Sequence, residues 1–466
     1  MRDLLLDLSR FEGPLHARLS AALREAIVSG RLDEGAAVPS SRALAERLGC
    51  SRWVVNEAYE QLTAEGYLAR RPRSGTWIAG SAGLRHRAAD GGPGRQPAGP
   101  AAAGPRLSPG LPDLASFPRA AWARAVARAC RELPSDALGY LDVAGHPRLR
   151  SALAEYLHRV RGLPTTADDV IVTPGTSHGL LALGRLLRLG GARRVAVEDP
   201  GWPRLPHLLR WSGLEPVPCP VDSDGLDVAA LSRLRVEAVV VTPAHQCPNG
   251  AVLSPARRVA LLRWARERDA IVIEDDYDAE YRYDHRPLSC LAAQGGGQVI
   301  HLGSTSKTLA PALRLGWMVP TPPLRRQLVE RTGILTGAVP TVDQAAFAHL
   351  LLSGAYDRHL RRMRHVYRHR RALLVAELAR AVPDARLLGL PAGLHLMVLL
   401  PPGVDEGEVV RRAASDGVDL LGLAGFRRTA GPAGLVLGFG NLPDREIPGT
   451  VEVLGRAVRQ SATVTG

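Results

Sequence analysis

Apolar side chains near the start of the chain recur every four residues, which is the spacing of one face of an α-helix. These positions are Leu15, Leu19, Leu23 and Ile27. The pattern ends at Ser29-Gly30, a pair of residues that is typical of a helix end. The front of the chain is therefore predicted to begin with an amphipathic helix.

Two shorter helical patterns follow the first one. Ser40 or Ser41 is placed to cap a helix over RALAERLG, and after a turn at Gly49-Cys50, Ser51 is placed to cap a helix over SRWVVNEAYEQLTAEG. Two short helices joined by a tight glycine-containing turn predict a helix-turn-helix. The next segment, YLARRPRSGTWIAG, predicts two short strands around a basic tip that includes Arg73, in the manner of a wing. The alternative is a three-helix domain that does not bind DNA.

The rest of the chain alternates short β-rich runs with helical stretches. The β-rich runs are VIVTPG, RVAVEDPG, EAVVVTPA, AIVIEDD and QVIHLGS. This rhythm predicts an α/β domain with a mainly parallel sheet covered by helices, and ligand groups gathered at the carboxyl ends of the strands.

A segment rich in glycine, alanine and proline separates the two patterns. This segment cannot bury enough apolar surface to offset the conformational entropy that it would lose on ordering. It is therefore predicted to be a flexible linker. We therefore predict a DNA-binding domain over residues 1–80, a linker over 81–105 and an effector domain over 106–466.

Composition narrows the class of protein. The net charge is +13, but residues 1–80 carry 11 arginines and 10 acidic residues, so the charge balance alone does not identify a DNA-binding end. The five cysteines lack the spacing of zinc ligands or of a disulfide framework, which predicts no metal site and a reducing, cytoplasmic location. No run reaches the roughly 18 apolar residues of a membrane span, so we expect no membrane segment.

Lys307 is the only lysine among 59 cationic side chains. An amine can lose its proton and attack an aldehyde to form a Schiff base, whereas a guanidinium keeps its charge. Lys307 follows a strand-like run, with Ser304 and Ser306 before it and Arg314 after it. One amine for covalent attachment, with hydroxyls and an arginine for a phosphate, predicts a phosphorylated aldehyde cofactor. Codon bias that left one lysine by chance is the alternative.

The run AIVIEDDYDAEY alternates with period two, so Asp275 and Tyr277 emerge on one face with Ile271 and Ile273. Asp275 is suited to pair with a pyridinium nitrogen, and Tyr277 to hydrogen-bond a phenolic oxygen. A protonated ring nitrogen is what makes pyridoxal an electron sink. A solvated acidic strand end is the alternative interpretation.

Other candidates lie at neighbouring strand ends. Gly175, Thr176 and Ser177 begin a helix whose free amides could bind the cofactor phosphate. Trp202 could stack on the pyridine ring, or it could be an ordinary buried tryptophan. The turn TPAHQCPNG contributes three polar side chains near the same edge, with a purely structural role as the alternative: His245, Gln246 and Asn249.

Residues 11–80 resemble the GntR family of winged-helix regulators across LREAIVSGRLDEGAAVPSSRALAERLGCSRWVVNEAYEQLTAEGYL. The resemblance implies that operator DNA is a partner. The family often has arginine where Asn56 stands and glycine where Arg73 stands. The residues expected at the DNA are Arg42, Ser51, Arg52, Asn56, Arg70 and Arg71.

Residues 106–466 are similar to fold-type I aminotransferases, which use pyridoxal 5′-phosphate. The resemblance implies that Lys307 forms the internal aldimine, Asp275 pairs with the ring nitrogen, Tyr277 with O3′, and Trp202 stacks on the ring. It also implies that Tyr140, in GYLDVAGHPRLR, reaches the phosphate of a neighbouring subunit, so that the active unit is a homodimer. The implied phosphate group consists of Gly175, Thr176, Ser177, Ser304, Ser306 and Arg314.

The fusion of these two parts resembles the MocR group of GntR regulators, on the motifs IEDDYDAEYRYD and SKTLAPALRLGW. Amino-acid-processing relatives carry an arginine for the substrate carboxylate where this chain has Val436; Arg204 and Arg428 are possible substitutes or plain surface charges. We therefore expect a regulator that senses pyridoxal phosphate or an amine and controls vitamin B6 or amino-acid metabolism. The alternatives are a working aminotransferase with a DNA-binding domain and a dimerisation module without cofactor.

Overall fold

The computed structural model describes residues 6–71, 75–79, 107–140, 142–283, 289–332 and 339–462. The chain divides into two compact units, Met1–Ala101 and Ala102–Gly466. The predicted linker at 81–105 and Arg73 of the wing lie outside the described residues, so the predicted domain boundaries stay predictions.

The front unit contains the three predicted helices and the two strands of the wing. The helices are α1 (Leu15–Val28), α2 (Ser41–Leu48) and α3 (Arg52–Ala64), and the strands β1 (Leu68–Arg71) and β2 (Gly75–Ile78) pair antiparallel. The apolar face of α1 packs against α3, because Leu19, Leu23 and Ile27 are buried while Leu15 at the helix start is exposed. The helix-turn-helix and wing pattern of the sequence is confirmed.

The capping serines behave differently from one another. The Ser40 hydroxyl accepts a hydrogen bond from the Ala43 amide at 3.2 Å, and α2 ends at Gly49 in the left-handed conformation. Ser51 stands at the N-cap position of α3 but makes no side-chain capping bond. The predicted capping hydrogen bond of Ser51 is therefore wrong, although α3 begins at the predicted residue.

The rear unit is built on an eight-stranded sheet of order β3-β10-β9-β8-β7-β4-β5-β6. Its strands are β3 (Ile171–Thr173), β4 (Arg194–Asp199), β5 (Glu215–Asp222), β6 (Gly225–Leu226), β7 (Ala238–Val241), β8 (Ile271–Asp276), β9 (Val299–Ser304) and β10 (Gly316–Val319). The five β-rich runs of the sequence are all strands. Strands β5, β4, β7, β8 and β9 are parallel to one another, whereas β10 runs antiparallel between β9 and β3, and β6 pairs antiparallel with β5.

Helices cover both faces of this sheet, so its strands are buried on both sides. Ile273 of β8 packs in one core with Leu183 and Leu209, while Val272 packs in another with Leu261. The alternation predicted for β8 is thus confirmed. The helices of this part are α4 (Arg119–Glu132), α5 (Pro147–Arg161), α6 (Thr176–Leu189), α7 (Leu205–Trp211), α8 (Val228–Arg233), α9 (Pro255–Arg268), α10 (Pro322–Thr332), α11 (Thr341–Leu352) and α12 (Ala355–Ala381).

A small antiparallel sheet of order β11-β12-β14-β13 completes the rear unit. Its elements are β11 (Arg386–Leu388), β12 (His395–Leu399), α13 (Glu406–Ser415), β13 (Leu421–Gly422), β14 (Gly434–Gly438) and α14 (Ile447–Gln460). Among the described residues, every helix is too short or too polar to span a membrane.

Candidate cofactor site and DNA face

The carboxyl ends of β3, β8 and β9 lie at one edge of the large sheet, and they carry most of the predicted site. Antiparallel β10 enters between β3 and β9, where its first residue Gly316 is paired with both Thr173 and Ser304. A side chain at Gly316 would collide with the Gly175 backbone, so glycine permits this close approach. The site is therefore assembled by sheet topology from segments far apart in the sequence.

The Lys307 amine lies in a mostly buried position at this edge, and its Nζ donates a hydrogen bond to the Gly110 carbonyl at 2.6 Å. Gly110 has φ +95°, and a Cβ there would lie 3.0 Å from Nζ, so the approach requires glycine. Burial lowers the pKa of Lys307, against the opposing effect of Cys247, Asp278 and Asp275. A lowered pKa increases the fraction of neutral amine, which is the nucleophilic form.

Asp275 is the second element of the site. Its Oδ1 is buried and has no hydrogen-bond partner among the described residues. Burial, reinforced by Asp276, raises the pKa of the Asp275 carboxyl to about 7, although Lys307 acts in the opposite direction. An orphaned buried acceptor is costly unless a donor arrives. The N–H of a protonated pyridine ring is such a donor, so this position fits the cofactor.

Replacing Asp275 with asparagine should change how stability depends on pH in the cofactor-free protein. The folded pKa of about 7 lies above the ordinary aspartate pKa of 3.8, so the stability that this protonated group contributes at low pH is lost as the pH rises through about 7. Between pH 5 and pH 8, we expect the free energy of unfolding of the parent to fall by on the order of 2 kcal/mol more than that of Asp275→Asn. Urea unfolding of both proteins at these two pH values measures it. The exposed Asp384→Asn control should follow the parent, and parallel profiles for parent and Asp275→Asn would contradict the assignment.

Tyr277 lies beyond the end of β8, as predicted. Its hydroxyl donates to the His245 carbonyl at 2.9 Å and lies 3.2 Å from His245 Nδ1. Burial raises the pKa of Tyr277 well above its usual value. The phenol therefore stays protonated near neutral pH, and in this structure its single proton is donated to the His245 carbonyl.

The predicted phosphate group is brought together at the start of α6. Gly175 occupies the N-cap position with φ 84°, and its missing Cβ would lie 3.7 Å from the Arg314 guanidinium, which donates to the Pro174 carbonyl at 2.7 Å. Thr176 and Ser177 form the first turn, whose free amides attract an anion. Ser304 donates to the Ser306 hydroxyl at 2.8 Å beside them.

Trp202 and Tyr140 lie on other segments of the chain than the phosphate group. Trp202 follows β4, which β7 separates from β8, and it lines a small cavity with Glu198, Phe426 and Arg428. Tyr140 is fully exposed. A role for Tyr140 therefore needs a second subunit.

The position of the usual carboxylate-binding arginine is apolar. Val436 is fully buried in β14 within a cluster of Met397, Leu423 and Phe426. Of the possible substitutes, Arg204 is exposed at the N-cap of α7. Arg428 is exposed as well, and it donates to the Pro203 carbonyl at 3.4 Å.

Several residues of the site carried a weak sequence signal or none. Gly110 and His395 lie in segments that the motifs did not include, and Asp278 was hidden in an acidic run. The structure also shows that Gln246 and Asn249 hold their own turn together, since Gln246 Oε1 accepts the Asn249 amide at 2.9 Å. His245 instead contacts Tyr277 and Asp278.

Two groups of described residues have donor atoms close enough to hold a metal ion: His245, Asp278 and His395, and Glu274, Cys290 and His301. In each group, protein hydrogen bonds use carboxylate oxygens, although Asp278 Oδ1 has no partner among the described residues. Asp278 pairs with His245 at 2.9 Å, and Glu274 accepts the amides of Leu291 and Ala292. The sequence-based expectation of no metal site stays a prediction.

The predicted DNA face lies on α2, α3 and the wing. Arg42 and Arg52 are exposed, and Arg52 Nε donates to the Ser41 hydroxyl at 3.2 Å. Asn56 is half-buried one turn into α3. Arg70 is exposed, 3.9 Å from Glu60, and Arg71 ends β1, with its side chain outside the described part.

Models of two protein families match the two units. The model of bacterial regulatory proteins of the gntR family matches residues 15–78, and that of class I and II aminotransferases matches residues 107–418. The solved structure of LysN, an α-aminoadipate aminotransferase of Thermus thermophilus complexed with N-(5′-phosphopyridoxyl)-L-leucine, has a TM-score of 0.70 at 28% identity. The alignment covers 77% of this chain and 92% of LysN.

Two regulators match almost the whole chain. The pyridoxine biosynthesis transcriptional regulator PdxR of Corynebacterium glutamicum is 35% identical over 427 residues, 91% of each chain. The probable rhizopine catabolism regulatory protein MocR of Rhizobium meliloti is 35% identical over 450 residues, 92% of this chain and 90% of the relative. The chain therefore belongs to the MocR-type GntR transcription regulators, in which a DNA-binding winged helix-turn-helix domain precedes a fold-type I aminotransferase domain.

Proposed function

We propose that this regulator binds pyridoxal 5′-phosphate covalently at Lys307 and changes its DNA affinity in response. The observation that supports this most strongly is the orphaned carboxylate of Asp275 in the same buried site as the only lysine of the chain. A buried acceptor without a donor and an amine with a lowered pKa are the two features that a pyridine aldehyde needs.

Each remaining residue of the site has a role in this proposal. Tyr277 donates to the 3-oxygen of the ring, and Trp202 packs on its face. Tyr140 reaches the phosphate from the partner subunit of a homodimer. When bound, the cofactor supplies an electrophilic carbon and an electron-withdrawing ring. The residues that hold its phosphate are Gly175, Thr176, Ser177, Ser304, Ser306 and Arg314.

The signal that we favour is the cofactor itself. Val436 offers no donor for the carboxylate of an amino acid, and this weakens the case for turnover of α-amino acids. The named role of PdxR in pyridoxine biosynthesis agrees with control of vitamin B6 metabolism, while an amine that displaces Lys307 is the second possible effector. The ligand must bind two arrangements of the protein unequally to change DNA affinity. A regulator of this kind acts on chromosomal DNA, so we place it in the cytoplasm.

An absorbance titration of the purified protein with pyridoxal phosphate, with and without promoter DNA, tests this function. We expect a visible adduct to form, and we expect its apparent affinity to differ between the two titrations, because coupling between two sites is reciprocal. Equal affinity in both titrations would contradict sensing. Sustained product formation from amino acids and 2-oxo acids would instead favour an aminotransferase.

The position of Arg52 on the predicted DNA face leads to a separate prediction about operator binding. Arg52→Ala should weaken operator binding by about 5- to 150-fold, because an arginine at a base edge contributes about 1–3 kcal/mol. A gel-shift or anisotropy titration at one fixed salt concentration measures this. Arg31→Ala is the matched control, since Arg31 is exposed beyond the end of α1 and pairs with Glu25 at 3.3 Å. If both variants bind promoter DNA like the parent, Arg52 does not lie at the operator.

A further inference from the structure

Three side chains beside the cofactor site, those of Tyr277, His245 and Asp278, are joined by hydrogen-bonding contacts at one nitrogen of His245. Asp278 Oδ2 lies 2.9 Å from His245 Nδ1, and both side chains are almost completely buried. The Tyr277 hydroxyl lies 3.2 Å from the same Nδ1 and donates to the His245 carbonyl at 2.9 Å. Nδ1 of His245 therefore lies within hydrogen-bonding distance of both a carboxylate and the Tyr277 phenol.

Two glycines hold the His245 ring in this position. A Cβ on Gly393 would collide with the ring and with the Asp278 carboxylate, and a Cβ on Gly250 would lie 3.4 Å from His245 Nε2. Both glycines have positive φ, at +65° and +73°. The ring of His395 packs on the remaining side, with its centroid 4.9 Å from that of His245. The imidazole consequently has little room to turn away from Tyr277.

The carboxylate decides which nitrogen of His245 carries the proton. An acceptor at 2.9 Å from Nδ1 favours the Nδ1–H form, because the hydrogen bond of one ring nitrogen sets the tautomer. The Tyr277 oxygen lies 3.2 Å from the same nitrogen, so it can share this N–H with Asp278 as a second, longer acceptor. A phenol that accepts a hydrogen bond becomes a stronger donor, since consecutive hydrogen bonds polarise one another.

We propose that Asp278 and His245 are positioning residues that set, through Tyr277, the pH at which the covalent cofactor adduct at Lys307 loses its proton. This inference rests on the proposed function. A stronger donor at Tyr277 stabilises the deprotonated adduct, whose 3-oxygen carries the negative charge, and so lowers the titration midpoint. The other titratable groups that face this chain are Asp275, Glu198, Cys247, Lys307 and His395.

Removal of the His245 imidazole should raise the midpoint. His245→Leu removes the N–H and leaves the Asp278 charge without its partner, so we expect the midpoint to rise by about one pH unit, a tenfold change in proton affinity. His245→Asn restores an amide N–H close to Nδ1, and we expect it to recover most of the parent value.

The measurement is the visible absorbance of the full-length, cofactor-loaded protein as a function of pH, with loading verified by borohydride trapping. His359→Asn is the matched control. His359 is a buried histidine that bonds the carbonyl of Thr308, the residue after Lys307, at 2.9 Å. This variant should lower the thermal unfolding midpoint and leave the titration midpoint at the parent value.

A second comparison separates the effect that passes through Tyr277 from a general loss of packing. In a Tyr277→Phe background, His245→Leu should shift the midpoint by less than half of its effect in the parent, because the phenol that transmits the effect is gone. An equal shift in both backgrounds overturns the inference, as does a His245→Leu protein that titrates like the parent. A parent chain that forms no visible adduct overturns the proposed function and this inference together.

Discussion

Lys307→Ala should abolish the visible adduct with pyridoxal phosphate completely. The chain contains no other lysine, so the α-amine of the N-terminus is the only other primary amine that could react. Lys307→Arg is the more specific variant. It keeps a positive charge at the site and removes the ability to form an imine. We expect both variants to lose the band, and we expect Arg314, Asp275 and Tyr277 to retain weak, non-covalent binding of the cofactor.

Borohydride reduction followed by peptide mapping is the corresponding measurement. In the parent, the pyridoxyl label should be found on the peptide that contains Lys307, and in both variants it should be absent. The control for folding is chemical denaturation of each variant, because DNA binding by the separate front unit does not report the folding of the unit that carries Lys307. A label at another position, or a band that survives in Lys307→Arg, would show that the covalent assignment is incorrect.

The second large effect is a loss of stability when the buried ion pair of Arg161 and Asp276 is broken. Arg161 at the end of α5 donates two hydrogen bonds to Asp276, at 2.7 and 2.8 Å, and both side chains are nearly inaccessible to solvent. Asp276 directly follows Asp275 on β8, so this pair anchors the strand end that carries the cofactor acceptor. Arg161→Met should lower the free energy of unfolding by about 3–5 kcal/mol, because it leaves a buried carboxylate without its partner.

Chemical denaturation followed by tryptophan fluorescence measures this loss. The matched control is Arg159→Ala, two residues earlier on the same helix, where the guanidinium is largely exposed and pairs with Asp357 at 2.8 Å. An exposed pair should contribute about 0–1 kcal/mol. The double variant Arg161→Met, Asp276→Leu should recover part of the stability, since it removes both charges. Equal losses for Arg161→Met and Arg159→Ala would contradict the anchoring role.

Local patterns were sufficient to predict the elements that carry the site. The alternation in β8 put Ile273 and Val272 on opposite faces, and the described strand confirms this, because the two side chains pack into different cores. Tyr277 follows the last residue of β8, so the strand does not test its predicted face. Strand ends were also predictable, since the five β-rich runs are all strands. Capping was predicted less well: Ser40 makes its bond, but Ser51 does not, because the hydroxyl orientation depends on contacts that the pattern does not contain.

Residue type and period along the chain determined by themselves that a helix-turn-helix precedes an α/β domain, that one amine is available, and which strand ends carry polar groups. Only the tertiary structure decided that Gly110 approaches Lys307, that Arg161 is buried with Asp276, and that His245 lies between Tyr277 and Asp278. The physical reason is that burial and pairing depend on segments more than 30 residues apart along the chain. Any arginine or histidine looks the same in sequence, whether it faces water or a carboxylate in the core.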